Sequence, residues 1–235
     1  IFHLKMKAII MAGGVGLRLR PLTLSIPKPL IPVGDKPILE HIIIKLKSQG
    51  IDEVIFAVGY KSEFIRAYFL NGKKLGIKIN YFREEKRLGT AGALSLIKKK
   101  FKLTEPVIVM NGDILTELDF NKMIEFHDSK KSDLTVGFKK QDYISSFGVL
   151  KFDGEKIKDI QEKPKITFDI LAGIYIIKPE IMDNIPKDSF YDMPNLIIDS
   201  LNNGMNICAY EIKEHWLGIE DITKLYQANN YVNGN

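Results

Sequence analysis

The 235-residue chain has a single cysteine, Cys208, and a single tryptophan, Trp216. One thiol closes no internal disulfide and builds no cysteine-based zinc site, so a reducing, cytoplasmic home is expected and Cys208 reads as a buried strand filler. No apolar run approaches the roughly 20 residues that cross a bilayer, and the start lacks the charged-then-apolar pattern of a secretory signal. No membrane partner is expected. Neither sign of charge is in large excess: 34 Lys and Arg against 29 Asp and Glu leave a formal +5. The lysines gather at Lys73 and Lys74, at Lys98 to Lys100 and at Lys130 and Lys131, without a stripe interleaved with aromatics. They read as solvated helix ends, and no nucleic-acid partner is expected. Ten prolines, 18 glycines and 45% apolar residues lie near globular averages, which excludes disordered and collagen-like chains.

What is present is a repeated alternation of strand and helix, the pattern of a parallel sheet covered on both faces. Apolar runs predict strands over Lys7 to Met11, Glu53 to Val58, Lys78 to Phe82 and Val107 to Met110. Helical spacing predicts helices over Pro37 to Ser48, Phe64 to Phe69, Ala91 to Lys99 and Asn121 to His127. Beyond His127 the character shifts: Leu134 to Phe138, Gly148 to Phe152 and Ile157 to Gln161 read as strands joined by turns such as Asp153-Gly154. Leu171 to Ile177 and Ile207 to Ile212 are further strands, Pro194 to Leu201 and Asp221 to Tyr231 further helices. The expected fold is α/β, a three-layer Rossmann-like, mostly parallel sheet with helices on both faces and small antiparallel additions. It forms a single domain over residues 1–235, with residues 1–5 read as the remnant of an upstream linker because the chain opens at Ile1 rather than Met.

The segment Met11-Ala12-Gly13-Gly14-Val15-Gly16-Leu17-Arg18 follows the first strand directly, where an open α/β sheet places its ligand crevice. Three glycines in four residues let backbone N–H groups approach a phosphate, and Arg18 adds charge. A P-loop is excluded because no Gly-Lys-Ser/Thr follows, and a dinucleotide fingerprint fails because Leu19 stands where its third glycine belongs. Taken alone, such a turn is more often only a tight turn. Pro27-Lys28-Pro29 changes the balance, since two prolines fix an extended backbone that aims one ammonium group. Of the histidines, His3 stands in the leader, His41 and His127 on helices and His215 beside Trp216, and most read as structural or solvent-facing.

In order, the glycine turn, Pro27-Lys28-Pro29, Leu88-Gly89-Thr90-Ala91-Gly92, Asn111-Gly112-Asp113, Glu162-Lys163-Pro164 and Ala172-Gly173-Ile174-Tyr175 resemble the signature of sugar-1-phosphate nucleotidyltransferases. The likeness runs from about Met6 to the end and is strongest to the mannose-1-phosphate guanylyltransferase-like branch. It implies attack of a sugar-1-phosphate oxygen on the α-phosphorus of a nucleoside triphosphate, with magnesium as cofactor. By resemblance Arg18 and Lys28 grip the triphosphate, and Asp113 is catalytic through the metal it holds. Ala12, Gly13, Gly14, Gly16, Gly89 and Thr90 bind the nucleotide, the close approach of the base resting on the smallness of Gly89. Gly148, Glu162 and Lys163 meet the sugar phosphate.

The chain departs from that pattern at three places. Gly218 stands where much of the family has a second metal-binding aspartate, which leaves Glu220 as the candidate second ligand, with Asp221 capping the last helix. Leu17 replaces the common threonine of the glycine loop, and Leu171 an asparagine before Ala172. The wording Leu-Gly-Thr-Ala-Gly favours GTP over CTP, UTP or dTTP, and a mannose-like or amino sugar. A non-catalytic nucleotide-sugar sensor or regulatory subunit is the alternative from another class. The expected partners are the two substrates, with room left for a homo-oligomer and for a regulatory domain upstream of Ile1, such as the paired CBS modules of some relatives.

Overall fold

A computed structural model describes residues 6–187 and 189–234; the leader at residues 1–5 lies outside the described residues. In chain order the strands are β1 (Lys7–Ala12), β2 (Pro32–Val33), β3 (Lys36–Pro37), β4 (Glu53–Val58), β5 (Lys78–Arg83), β6 (Val107–Asn111) and β7 (Ile114–Thr116). They continue with β8 (Leu134–Ile144), β9 (Val149–Asp153), β10 (Lys156–Gln161), β11 (Lys165–Ile177), β12 (Ile207–Glu211) and β13 (Trp216–Gly218). The helices are α1 (Leu22–Ser25), α2 (Ile38–Ser48), α3 (Ser62–Phe69), α4 (Leu94–Phe101), α5 (Phe120–Ser129), α6 (Met193–Asn202) and α7 (Ile222–Val232).

Seven strands form the central sheet in the order β12, β8, β11, β6, β1, β4, β5. β5, β4, β1 and β6 run parallel, and β11 is the strand that runs against its neighbours β6 and β8. The inner strands are apolar along their length because both faces are covered, and alternate residues feed two separate cores. Ala8, Ile10, Val54, Phe56 and Ile108 join the layer of α2, α3, α5 and α7. Ile9, Ile55, Ala57, Val107 and Val109 join the layer of α4 and α6. Helices on both faces of a mostly parallel sheet are what the strand and helix alternation predicts.

Three local expectations are corrected. The helix expected from Ala91 begins at Leu94, because residues 90–93 form turns that tie the chain to the segment before α6. The strands expected at Leu134 and Leu171 are longer: β8 runs on to Ile144 and β11 begins at Lys165, so the two leave the sheet together as a ribbon. Cys208 is half-buried on β12, the edge strand of the sheet, rather than buried within it.

The pairing of β7 with β13 brings Trp216 opposite Thr116 and Gly218 opposite Ile114. Trp216 Nε1 donates to Ala172 O at 2.9 Å, fastening β13 to the inner end of β11.

His127, on α5, is 1% exposed. Its Nδ1 lies 2.8 Å from Thr135 Oγ1, and its Nε2 has no partner among the described residues. Burial pushes its pKa below the ordinary 6.5, and burial does the same to His215. Burial favours the neutral form of both rings in the folded chain, so near and below pH 6.5 unfolding takes up protons, and stability that is present above pH 6.5 is lost as the pH falls through that value and below. Heat denaturation followed by circular dichroism from about pH 8 to about pH 5 is expected to show a falling midpoint at the acid end. His127→Gln is expected to flatten that slope.

Candidate active site

The carboxyl ends of the four parallel strands open on one cavity of about 740 Å³, within the range of small-molecule sites. Its wall takes Gly13, Gly14 and Val15 from the turn after β1, Gly59 and Tyr60 from beyond β4, and residues 83–87 from the end of β5. Asn111 and Asp113 come from the turn after β6. This is the place where an open α/β sheet gathers loops around a ligand.

Gly16 closes the glycine turn in the left-handed region, at φ +67°. A Cβ there would stand 2.9 Å from Thr23 Cγ2 and 3.1 Å from Lys28 Cβ. Thr23 Oγ1 donates to Gly16 O at 2.9 Å. Gly16 therefore serves packing, letting the turn lie against Lys28, and it is outside the cavity wall. Ala12 is also outside it: 3% exposed, it ends β1 beside Val58.

Lys28 and Asp113 form a part-buried ion pair between segments 85 residues apart. The proline-flanked segment aims the ammonium, and the turn after β6 is held by Gly112 N donating to Met11 O at 2.9 Å. On the far side of Asp113, its carbonyl accepts from Ile219 N at 2.9 Å, which brings the end of β13 alongside. Arg18 Nη1 donates to Glu220 Oε2 at 2.7 Å, in a pair whose side chains are 70% and 53% exposed. Such a pair is easily exchanged for a ligand. Glu220 Oε1 lies 3.8 Å from where a Cβ on Gly218 would stand, so its carboxylate sits beside the position left bare by the glycine. Asp221 caps α7 by accepting from Lys224 N at 2.8 Å, as its position predicts.

Among the described residues no group of three or more His, Cys, Asp or Glu could cage a metal. The oxygen donors present suit magnesium all the same, since that ion is held by one or two carboxylates together with phosphates and water. Asp113 and Glu220 would be the protein's share, each exchanging a cationic side chain for the ion.

The opposite end of the cavity holds groups that the sequence reading passed over. Glu84 is half-buried, and its Oε2 accepts from Leu88 N at 3.3 Å. Its Oε1 points to the glycine turn, 3.1 Å from where a Cβ on Gly13 would stand. Burial raises its pKa, and the Leu88 N–H partly offsets that. Phe190 is a 56% exposed aromatic ring on the cavity wall, with the Arg87 guanidinium 5.9 Å from its centroid. No sequence period points to it; the loop that carries it is placed by long-range hydrogen bonds.

Those bonds also explain Leu88-Gly89-Thr90-Ala91-Gly92. Ala91 N and Gly92 N both donate to Tyr191 O at 3.0 Å, and Tyr191 N donates to Leu88 O at 2.9 Å. Thr90 N donates to Asp192 Oδ1 at 2.9 Å, and Thr90 Oγ1 accepts from Met193 N at 2.8 Å. Gly89, at φ +81°, would place a Cβ 2.7 Å from both Asp192 Oδ1 and Tyr191 O. The smallness of Gly89 therefore admits Tyr191 and Asp192. Thr90 lines the cavity while its hydroxyl is engaged in the same brace.

Gly148, Glu162 and Lys163 lie apart from the cavity wall, where the β8–β11 ribbon meets the β9–β10 hairpin. The three are exposed, Glu162 Oε2 lies 3.1 Å from where a Cβ on Gly148 would stand, and Lys163 is in the left-handed region at φ +45°. Thus Gly13, Gly14, Gly89, Thr90 and Asp113 share one cavity, Arg18, Lys28 and Glu220 flank its Asp113 end, and the ribbon residues form a separate group.

A glycine turn and an ion-paired carboxylate at the carboxyl ends of parallel strands define a Rossmann-like α/β protein with its ligand crevice at the sheet edge. The chain belongs to the nucleotidyl transferase family, whose model matches residues 7–234. It is 40% identical over 187 residues to mannose-1-phosphate guanylyltransferase 1 of Arabidopsis thaliana, covering 77% of this chain and 52% of that protein. It is 34% identical, over 95% of this chain and 62% of the relative, to the UTP–glucose-1-phosphate uridylyltransferase of Synechocystis. The chain thus spans about half to three-fifths of these curated relatives. Among solved structures, HddC from Yersinia pseudotuberculosis complexed with GMP-PN matches with a TM-score of 0.76 at 28% identity, covering 97% of this chain and 99% of that one. Among the described residues no helix is long and apolar enough to cross a membrane.

Gly16→Ala meets both a left-handed backbone and the Lys28 side chain, and is expected to destabilise the chain by roughly 1–2 kcal/mol. A lower urea midpoint with an unchanged slope is the result that checks it.

Proposed function

We propose that this chain, as one domain over residues 1–235, transfers a nucleoside monophosphate to a sugar 1-phosphate, with GTP as the favoured donor and a mannose-like or amino sugar as acceptor. The observation that carries the reading is the cavity that joins the glycine turn to the Lys28–Asp113 pair. The names of the relatives support the reaction class, the uridylyltransferase among them keeping UTP as the alternative donor.

In this reading an oxygen of the sugar phosphate attacks the α-phosphorus, and the bond from that phosphorus to the bridging oxygen of the β-phosphate breaks. The pyrophosphate leaves with the electron pair. No covalent bond to the protein forms, because the incoming phosphate is already ionised and nucleophilic. The difficulty is electrostatic: at an effective dielectric near 20, like unit charges about 4 Å apart repel by about 4 kcal/mol. Lys28 and Arg18 answer it with positive charge, and the amides of Gly13 and Gly14 line the phosphate path. Magnesium, when bound, supplies further neutralisation of the phosphate oxygens, with Asp113 and Glu220 as its protein ligands. Glu162 and Lys163 take the sugar and its phosphate, beside Gly148.

The base is assigned to the end of the cavity that holds Glu84 and Phe190. A carboxylate accepts two hydrogen bonds side by side, and guanine offers two neighbouring donors on one edge, N1–H and N2–H. Cytosine and uracil each offer one. Phe190, backed by Arg87, offers a flat apolar surface for the ring. The enzyme is placed in the cytoplasm.

Pyrophosphate release, measured for four nucleoside triphosphates crossed with several sugar 1-phosphates, is expected to be fastest with GTP and magnesium-dependent. Absence of turnover with every pair, alongside tight binding of a nucleotide sugar, would instead mark a sensor. Asp113→Asn is expected to keep its circular dichroism spectrum and to lose at least about tenfold in turnover. Glu84→Gln is expected to lower kcat/KM for GTP by about tenfold and to narrow the gap to UTP; unchanged base preference would remove Glu84 from the base site.

A further inference from the structure

The two cations assigned to the triphosphate stand at either end of one arm of the chain, residues 17–30, with Arg18 near its start and Lys28 near its end. Between them Leu19, Thr23 and Pro27 are buried, whereas Leu22, Leu24 and Ile26 are between 41% and 55% exposed. Little apolar burial therefore fixes the stretch that sets the spacing of Arg18 and Lys28.

The middle of the arm is the single turn of α1, and a helix leaves its last carbonyls without amide partners. The sequence enforces that deficit here. The amide four residues beyond Thr23 belongs to Pro27, which has no N–H to give. Two side chains from the turn between β4 and α3 meet these carbonyls instead. Lys61 Nζ donates to Leu24 O at 2.5 Å, and Tyr60 Oη makes a longer bond to Thr23 O at 3.5 Å. A lysine reaching the final carbonyls is a common way to close a helix.

Lys61 is itself placed for this contact. Its backbone is in the left-handed region at φ +53°, which disfavours any residue that carries a side chain and persists only where the surroundings demand it. Its ammonium lies 5.4 Å from the ring centroid of Tyr60 and 5.6 Å from that of Phe64, near enough for both rings to attract it. Tyr60 also lines the cavity, so the cap on α1 is continuous with the wall of the site.

We propose that Lys61 is a positioning residue: by capping α1 it fixes the spacing and aim of Arg18 and Lys28, and through them the grip on the triphosphate. The kinetic consequence rests on the nucleotidyl-transfer reading, and the structural one does not. Hydrogen–deuterium exchange of the ligand-free chain, read by mass spectrometry, is expected to be faster over residues 17–30 in Lys61→Met than in the wild type, with the peptides of β4 and β6 unchanged. In steady-state kinetics Lys61→Met is expected to raise KM for GTP roughly fivefold while KM for the sugar 1-phosphate stays unchanged. Lys61→Arg, which also donates to a carbonyl, is expected to restore both readouts. Should the methionine variant unfold, Lys61→Gly replaces it, because glycine suits this backbone; it is expected to exchange fast over residues 17–30 with no fall in melting temperature. Unchanged exchange over the arm would overturn the proposal. A raised KM for GTP with unchanged exchange would overturn it too, marking Lys61 as a direct phosphate contact, as would an equal rise in both KM values. If the wild type turns over no triphosphate, the nucleotidyl-transfer reading fails by itself, and the exchange comparison alone supports or refutes the cap.

Discussion

The ion pair between Lys28 and Asp113 is the contact around which the rest of the site is arranged. It joins a proline-framed segment before the first long helix to the turn at the end of β6, across 85 residues of chain. Each charge is largely withdrawn from water, and each is satisfied by the other. Under the proposed function a triphosphate would compete for the ammonium and a cation for the carboxylate, so the two ligands would cooperate in opening the pair. The exposed Arg18–Glu220 pair, brought alongside by the Ile219 N to Asp113 O hydrogen bond, has the same complementarity with weaker hold. The site is thus balanced electrostatically, its positive and negative groups neutralising one another.

Much of the frame was legible because each central strand is a short apolar run and each covering helix an amphipathic stretch closed by glycine or a capping aspartate. Residues buried on both faces leave an unbroken apolar signature, which is why β1, β4 and β6 were readable to within a residue. The pieces that escaped were too short to show a period or were set by distant partners. β7 and β13 have three residues each and exist because they pair with one another. The lengthening of β8 and β11 rests on their mutual pairing beyond the sheet, where among the described residues no third strand or helix covers the apolar alternation of Ile166, Phe168 and Ile170.

The candidate site divides in the same way. Arg18, Lys28 and Asp113 stand in local patterns that carry their own physical reason, a glycine turn, a proline frame and a strand end. Glu84 and Phe190 have no such pattern: one becomes prominent because burial isolates a carboxylate, the other because the segment from 189 to 193 is stitched to Leu88-Gly89-Thr90 by hydrogen bonds spanning about a hundred residues. Gly89 shows the limit from the other side. The sequence singles the residue out, and the neighbours that demand its small size in the fold are Tyr191 and Asp192.

The indole of Trp216 bridges two parts of this arrangement, its N–H fixed to Ala172 and its ring 3.4 Å from where a Cβ on Gly218 would stand, two residues before Glu220. As the sole tryptophan of the chain, it is also the dominant intrinsic fluorophore. The protein consequently carries an unlabelled optical probe at the seam between the loop that holds Glu220 and the root of its projecting ribbon, and emission from that one chromophore registers rearrangement at either side without any added dye.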